Sequence, residues 1–140
     1  MTADWPSKAC LTALAIVLGL LQGAVFGQSM GSADAAQRGH QLLLQRQECG
    51  CVLCHRIPGL PVGGDIGPSL HGLAERTNVQ AVRERLVDPR RFNPMTIMPA
   101  YFSLDGLTHV ARAYQGKTIL NEQALDDILA YLMKPEGARQ

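Results

Sequence analysis

Apolar residues are distributed along the chain as one long uninterrupted run followed by several short amphipathic segments. The run covers residues 9–27 and contains no charged residue; Lys8 precedes it, and small and polar residues follow it. This order is typical of a secretory signal peptide. Residues 33–35 (Ala-Asp-Ala) fit the small-x-small cleavage pattern. The pattern therefore predicts a signal peptide over residues 1–35 and a mature domain over residues 36–140.

Two alternatives apply to this N-terminal segment. Cleavage after Gly27 would leave a longer mature chain. An uncleaved run would be a membrane anchor, because its length approaches that needed to span a bilayer. The glycines inside the run and the small-residue site behind it favour cleavage. We therefore expect an exported protein with no membrane span after the signal peptide is removed.

Three further segments carry apolar residues at helical spacing. The predicted helices cover residues 34–47, 78–87 and 121–134. Asn121 is a good N-cap for the last helix, and Pro89 and Pro135 stop the second and the last. Gly39 in the first helix costs about 1 kcal/mol relative to alanine. It is either a tolerated weak spot or a notch for close approach of a second helix, and we favour the notch. The residues expected on buried faces are Ala36, Gly39, Leu43, Leu44, Val79, Val82, Leu86, Leu125, Ile128, Leu129 and Leu132.

Irregular segments connect the predicted helices. Residues 56–68 are rich in proline and glycine, and residues 88–102 contain several prolines and two methionines, so both are predicted to be loops. Residues 108–114 are predicted to form a short helical turn. No alternating pattern of useful length predicts a strand, and we expect an all-α domain. Helices joined by long loops form a poor core in about a hundred residues, so a bound group or another staple is expected.

The overall composition is that of an ordinary globular domain. Hydrophobic residues make up 46% of the chain and the formal net charge is +1, so composition gives no argument for nucleic-acid binding. Cysteines stand at positions 10, 49, 51 and 54. A disulfide framework would connect distant parts of the chain. Because one cysteine lies in the predicted signal peptide and the other three are crowded together, we do not expect such a framework.

The string Cys51-Val52-Leu53-Cys54-His55 is the strongest chemical signal in the chain. Two thiols at this spacing can add to the two vinyl groups of one haem, and the histidine that follows then ligates the iron. A zinc half-site is one alternative, but no second cysteine pair completes it. A redox-active Cys-x-x-Cys is another, and it would be expected near a βαβ pattern, which is absent. We predict one covalent haem c, attached through Cys51 and Cys54, with His55 as an axial ligand.

The second axial ligand must come from another part of the chain, and histidine and methionine are the usual candidates. We predict Met98, because it lies in a proline-braced loop far enough downstream to reach the opposite face of the haem. Met95 is the alternative ligand, whereas Met133 is expected to fill the core. The histidines expected to be ordinary surface or core residues are His40, His71 and His109. A histidine–methionine pair raises the reduction potential and leaves no open axial position, which favours electron transfer.

Three stretches beyond the haem string carry a family resemblance. They are GGDIGPSL (residues 63–70), RERLVDPRRFNPMTIMPAYF (residues 83–102) and GKTILNEQALDDILAYL (residues 116–132). Together they resemble SoxX, the small cytochrome subunit of the SoxAX complex of bacterial sulfur oxidation. The segment from Gly67 to Leu73 also resembles the one that follows the haem motif in class I cytochromes c. There a proline carbonyl accepts the ring N–H of the proximal histidine, so the resemblance implies that Pro68 orients His55.

The resemblance implies a class I cytochrome c-like fold, in which a few helices wrap around one covalently bound haem. It implies a periplasmic heterodimer with SoxA that couples thiosulfate oxidatively to a cysteine of the SoxYZ carrier, as an L-cysteine S-thiosulfotransferase. In such a complex the sulfur chemistry belongs to SoxA. This chain would have no catalytic site of its own and would pass electrons from a His55/Met98 haem to a downstream cytochrome. The alternatives are a free-standing monohaem electron carrier, and a haem sensor or peroxidase-like enzyme in which the Met98 bond opens.

Two features beside the motif and the ligand loop are interpreted separately. Cys49 is too close to Cys51 to be a third attachment point, and we expect it to be a buried or capped thiol rather than a reactive one. Four arginines precede the Met98 loop and would pair with haem propionates or acidic partners, or else form a solvated helix face. They are Arg83, Arg85, Arg90 and Arg91.

Overall fold

The computed structural model describes residues 27–138, with side chains from residue 31 onward. By its internal contacts the chain divides into two units, residues 1–32 and Ala33–Gln140. The packing described below belongs to the second unit. Most of the predicted signal peptide lies outside the described residues, so its cleavage stays a prediction. Among the helices that are described, none combines the length and the apolar character needed to cross a membrane.

Within residues 27–138 the chain forms five α-helices and three short 3-10 turns, with no strand. The helices are α1 (Gly27–Leu44), α2 (Cys51–Cys54), α3 (Leu73–Arg76), α4 (Val79–Val87) and α5 (Glu122–Leu132). The 3-10 turns are Pro89–Arg91, Arg112–Tyr114 and Glu136–Ala138. The prediction of an all-α domain is confirmed.

Helices α4 and α5 begin where the sequence indicated. The side chain of Asn78 accepts a hydrogen bond from the backbone N–H of Ala81 at 2.9 Å, and that of Asn121 accepts one from Ala124 at 2.8 Å. Each bond satisfies an N–H group that has no partner inside its helix. α4 stops at Val87, ahead of the 3-10 turn that begins at Pro89, as expected of a proline.

Other helix bounds differ from the prediction. α1 begins at Gly27 and ends at Leu44, rather than covering residues 34–47. Helices α2 and α3 were not predicted, because four residues are too few to show a helical period. Each is preceded by a glycine with positive φ, Gly50 at 64° and Gly72 at 63°. This conformation is costly for other residues, so glycine permits both turns.

Gly39 brings α1 into direct contact with α5. A Cβ placed at Gly39 would lie 1.9 Å from the backbone oxygen of Asp127, so only a glycine fits there. Next to this contact Arg38 donates two hydrogen bonds to the Asp127 carboxylate, at 2.8 and 2.7 Å. The interpretation of Gly39 as a notch is confirmed.

The hydrophobic core lies between α1, α2, α4 and α5. The predicted stripe on α5 is buried along its whole length, and on α4 Val82 and Leu86 are buried. Val79 was expected to be buried but is 53% exposed, because it occupies the first residue of α4 at the edge of the packed face. The most completely buried side chains are Leu43, Val52, Ile57, Leu125 and Ile128.

Candidate functional site

Helix α2 places the two cysteines of the motif three residues apart on one short turn. Cys51 is buried and Cys54 is partly buried, and both contribute to the wall of one cavity. Residues three apart lie on the same face of a helix. Cys49, Cys51 and Cys54 form no disulfide, so no disulfide framework involves the cysteines that are described.

His55 follows α2 and is held by the loop that packs beneath it. Its Nδ1 lies 2.7 Å from the backbone oxygen of Pro68. Because a carbonyl oxygen only accepts, Nδ1 carries the proton and Nε2 keeps a lone pair for a metal. The contact between Pro68 and His55 that the resemblance implied is confirmed.

Gly67 lies directly against the His55 ring. A Cβ at this position would be 2.3 Å from Cε1 and 2.6 Å from Nδ1 of the imidazole. The Gly67 N–H also donates to the backbone oxygen of Cys54 at 2.8 Å. The loop therefore touches both the ring of His55 and the turn that precedes it, and it needs glycine to do so.

The cavity has a volume of about 580 Å³ and is enclosed mainly by apolar side chains. This is within the range of sites that hold small molecules and cofactors. His55 comes to it from α2, and Met98 from the loop that precedes Tyr101. The apolar residues that complete the wall include Leu43, Ile66, Leu70, Leu73, Val82, Leu86, Ile97, Pro99 and Leu132.

This set of side chains fits a covalently attached haem. Two thiols, an imidazole and a thioether share one apolar cavity, which is the combination that haem attachment and axial ligation require. In the described residues no group of three or more His, Cys, Asp or Glu could hold a metal ion, and no strand accompanies the Cys-x-x-Cys pair. This part of the chain offers neither a cluster of further ligands for zinc nor the βαβ unit expected of a redox-active Cys-x-x-Cys.

The two candidate methionine ligands occupy different surroundings. Met98 is partly buried, packs against the core and lines the cavity. Its N–H donates to the hydroxyl of Thr96 at 3.2 Å, and Pro99 follows it. Met95 is 86% exposed and lies outside the cavity wall. Met133 packs against the core, as expected.

The other described histidines lie away from the cavity. The His40 ring packs against Tyr131, with ring centroids 5.2 Å apart. His71 pairs with Glu136 at 3.3 Å, and His109 contacts the hydroxyl of Thr108 at 3.0 Å. They are the ordinary surface and core residues that the sequence indicated.

The arginines before the Met98 loop have separate roles. Arg83 forms ion pairs with Glu122 and Asp126 on α5. Arg90 pairs with Asp88 at 2.7 Å, and this guanidinium lowers the pKa of the Asp88 carboxyl. Arg83 and Arg90 therefore form ion pairs rather than a solvated helix face.

The guanidinium of Arg85 lies 4.7 Å from the centre of the Phe92 ring. Arg85 is the one member of the predicted four-arginine cluster that lines the cavity. Arg76, which no sequence pattern singled out, also lines the cavity. Arg76 donates to the backbone oxygens of Ser69 and His71, and so braces the loop that follows Pro68. A propionate-binding role of the arginine cluster stays a prediction.

Cys49 is buried, and its thiol caps the end of α1. Its Sγ donates to the carbonyl oxygens of Leu42 at 3.1 Å and Gln45 at 3.7 Å. Hydrogen bonding with the Cys51 thiol lowers the pKa of Cys49 to about 7, and the same pairing, aided by burial, raises the pKa of Cys51. A thioether bond at Cys51 would remove that pairing. The expectation that Cys49 is a buried, capped thiol is confirmed.

The comparisons with known proteins include an informative match to a solved structure. No protein-family model matches the chain, and no curated protein sequence does. The crystal structure of SoxXA from P. pantotrophus matches with a TM-score of 0.61 and 27% sequence identity, over 70% of this chain and 79% of that chain. This match supports a SoxX-like relationship and a small all-α cytochrome fold, as the sequence resemblance indicated.

Proposed function

We propose, from this SoxX-like relationship, that the chain is a c-type cytochrome with one covalent haem c that transfers electrons within a SoxAX-type complex. The observation that carries the proposal is the meeting of four side chains in one apolar cavity: Cys51, Cys54, His55 and Met98. The first three belong to one short motif, whereas Met98 comes from a separate loop. The chain itself contributes no catalytic site in this proposal.

Bound haem would supply a one-electron couple, and a histidine–methionine ligand pair would set its potential high. Cys51 and Cys54 would hold the group through thioether bonds. His55 would present Nε2 to the iron, with its orientation fixed by the bond from Nδ1 to Pro68. Met98 would supply a second protein ligand to the group. Held by two side-chain ligands, the group would serve electron transfer rather than binding of oxygen or peroxide.

The partners follow from the same relationship. We propose that the mature chain, residues 36–140, forms a heterodimer with SoxA in the periplasm. The signal peptide over residues 1–35 would direct the chain to that compartment. The complex would act on thiosulfate and the SoxYZ carrier cysteine, and this subunit would deliver the electrons to a downstream cytochrome. The match to a structure of SoxXA supports the pairing with a SoxA subunit.

The haem assignment is tested with the exported protein purified from its native host. We expect the intact mass to include one covalent haem, and we expect Cys51→Ala with Cys54→Ala to abolish attachment. Met98→Ala should eliminate the weak methionine–iron charge-transfer absorbance. Met95→Ala is the matched control and should retain it, because Met95 lies outside the cavity wall. An unmodified mass would refute the proposal.

The partner assignment needs a separate measurement. We expect the native protein to co-purify with a second, larger haem protein that has SoxA sequence features, at equal stoichiometry. A chain that runs alone in size-exclusion chromatography but carries haem would instead be a free-standing electron carrier. Carbon monoxide binding to the reduced protein at neutral pH would indicate an open axial position and would favour a sensor or peroxidase-like enzyme.

A further inference from the structure

Tyr101 lies three residues after Met98 and is 4% exposed. Its hydroxyl donates a hydrogen bond to the backbone oxygen of Cys49 at 2.8 Å. The Tyr101 hydroxyl oxygen also lies 3.9 Å from Sγ of Cys51. Tyr101 also forms part of the cavity wall. One side chain thus connects the Met98 loop to the segment that leads into the haem motif.

The backbone of Tyr101 adds two further attachments. Its N–H donates to the oxygen of Leu86 near the end of α4 at 3.0 Å, and its oxygen accepts from Leu120, just before α5, at 3.0 Å. The position of residue 101 is therefore set by three separate elements. Two residues, Pro99 and Ala100, link Met98 to Tyr101, and the ring of Pro99 limits the freedom of this link.

We infer that Tyr101 is a positioning residue for Met98, because its hydroxyl fixes the segment bearing Met98 relative to the segment bearing Cys51. The inference rests on the proposed function, since it concerns the predicted methionine ligand. Burial raises the pKa of Tyr101, so the hydroxyl keeps its proton and remains a donor. Without the hydroxyl, the Cys49 carbonyl loses the 2.8 Å hydrogen bond from Tyr101, and the side-chain link between the Met98 loop and the segment that leads into the haem motif is lost.

Tyr131 provides a matched control in the same chain. It is also buried, and its hydroxyl donates to the backbone oxygen of Pro58 at 2.6 Å. Unlike Tyr101, it is not part of the cavity wall. Tyr101→Phe and Tyr131→Phe therefore remove equivalent buried hydrogen bonds, and only the first lies on the route to Met98.

The experiment is a titration of the oxidised holoprotein with imidazole, which competes with Met98 for the iron. Loss of the methionine–iron charge-transfer absorbance reports the displacement. We expect Tyr101→Phe to require about tenfold less imidazole than the wild type, the effect of one buried hydrogen bond. Tyr131→Phe should behave as the wild type, even if both variants unfold at lower denaturant concentration. Equal imidazole affinities in the two variants would overturn the inference.

Two outcomes separate this inference from the proposed function. A wild-type protein without haem, or without the charge-transfer absorbance, would refute the proposed ligand set itself. If Tyr101→Phe yields no holoprotein, hydrogen exchange in the wild type replaces it. We expect imidazole to speed exchange of the Tyr101 and Leu120 amides but not that of Met133, whose N–H bonds to Leu129 in α5. Unchanged exchange at Tyr101 and Leu120 would overturn the inference while leaving the haem assignment intact.

Discussion

Replacing Gly67 by alanine is a direct test of how the imidazole of His55 is held. A Cβ at position 67 would lie 2.3 Å from Cε1 of the ring, whereas ordinary contact begins at 3.4 Å. The shortfall is 3.4 − 2.3 = 1.1 Å, so the ring must rotate or shift by that amount. Gly67 is not among the glycines with positive φ, and alanine therefore meets no backbone obstacle there. The clash with His55 is the main effect of the substitution.

The expected magnitude follows from two contributions. Rotation of the ring breaks the hydrogen bond from Nδ1 to Pro68, which is worth about 0.5–1.5 kcal/mol. Forcing the side chain about 30° from its rotamer costs roughly another 0.5–1.5 kcal/mol. Gly67→Ala should therefore lower the free energy of unfolding of the holoprotein by about 1–3 kcal/mol. Denaturant unfolding measures this loss directly.

The reduction potential separates ligand geometry from general stability. A carbonyl that accepts from Nδ1 makes the histidine a more basic ligand and stabilises the oxidised iron, so loss of this bond should raise the potential. A one-electron couple moves about 59 mV for each tenfold change, which corresponds to about 1.4 kcal/mol. Since the bond is worth at most about 1.5 kcal/mol, the expected rise is at most about 60 mV. Redox titration of the purified holoprotein measures this rise.

Two other glycines serve as controls for this experiment. Gly39→Ala should destabilise the protein through the contact between α1 and α5 without changing the potential. Gly137→Ala places a methyl group where no atom lies within 4 Å, and it should change neither quantity. If Gly67→Ala lost stability but kept the wild-type potential, Gly67 and Pro68 would not control the ligand, and the reasoning would be wrong.

Three further predictions concern the parts of the fold that support the site. Gly39→Ala should lower the free energy of unfolding by about 2 kcal/mol, because overpacking against α5 costs about 3 kcal/mol and the higher helix propensity of alanine returns about 1 kcal/mol. Denaturant unfolding measures this change, and an unchanged free energy of unfolding would contradict the close contact. Arg38 lowers the pKa of Asp127 below its unfolded value, so this pair stabilises the fold above about pH 4 and the contribution is lost as pH falls through the folded pKa. Asp127→Asn should remove that part of the pH dependence of stability. If the variant lost as much stability at acid pH as the wild type does, Asp127 would be excluded as the source. Cys49 should react with an alkylating reagent only after denaturation, and rapid labelling of the folded holoprotein would show that the thiol is accessible.

Local signals in the sequence predicted the parts of the fold that depend on near neighbours. Helix α5 follows from its apolar spacing and from Asn121, whose cap lies three residues before Ala124. The cysteines and His55 were singled out because haem attachment requires them in one short string, and the structure places all three at one cavity. Gly39 was interpreted as a notch because glycine costs stability inside a helix, and its close contact with the backbone of α5 confirms the interpretation.

Tertiary contacts account for what the sequence could not predict. Nothing in the local pattern near Tyr101 indicates that its hydroxyl reaches Cys49, which is 52 residues away in the chain. The same holds for Glu136, whose carboxylate accepts from the Gly72 N–H at 2.7 Å. Such pairs depend on how the loops fold back, and loop paths are not encoded by a repeating pattern of apolar residues.

The proposed haem and the loops around its cavity would depend on each other for packing. Protein interiors are close-packed and contain few voids larger than a water molecule. A cavity of about 580 Å³ is therefore unusual in a single small domain and is expected to hold a bound group. Most of the residues in the cavity wall belong to irregular segments. Irregular segments gain little stability from regular secondary structure, and the apolar surface of the proposed haem would supply much of their packing. The cytochrome assignment thus accounts for the ordered loops as well as for the motif.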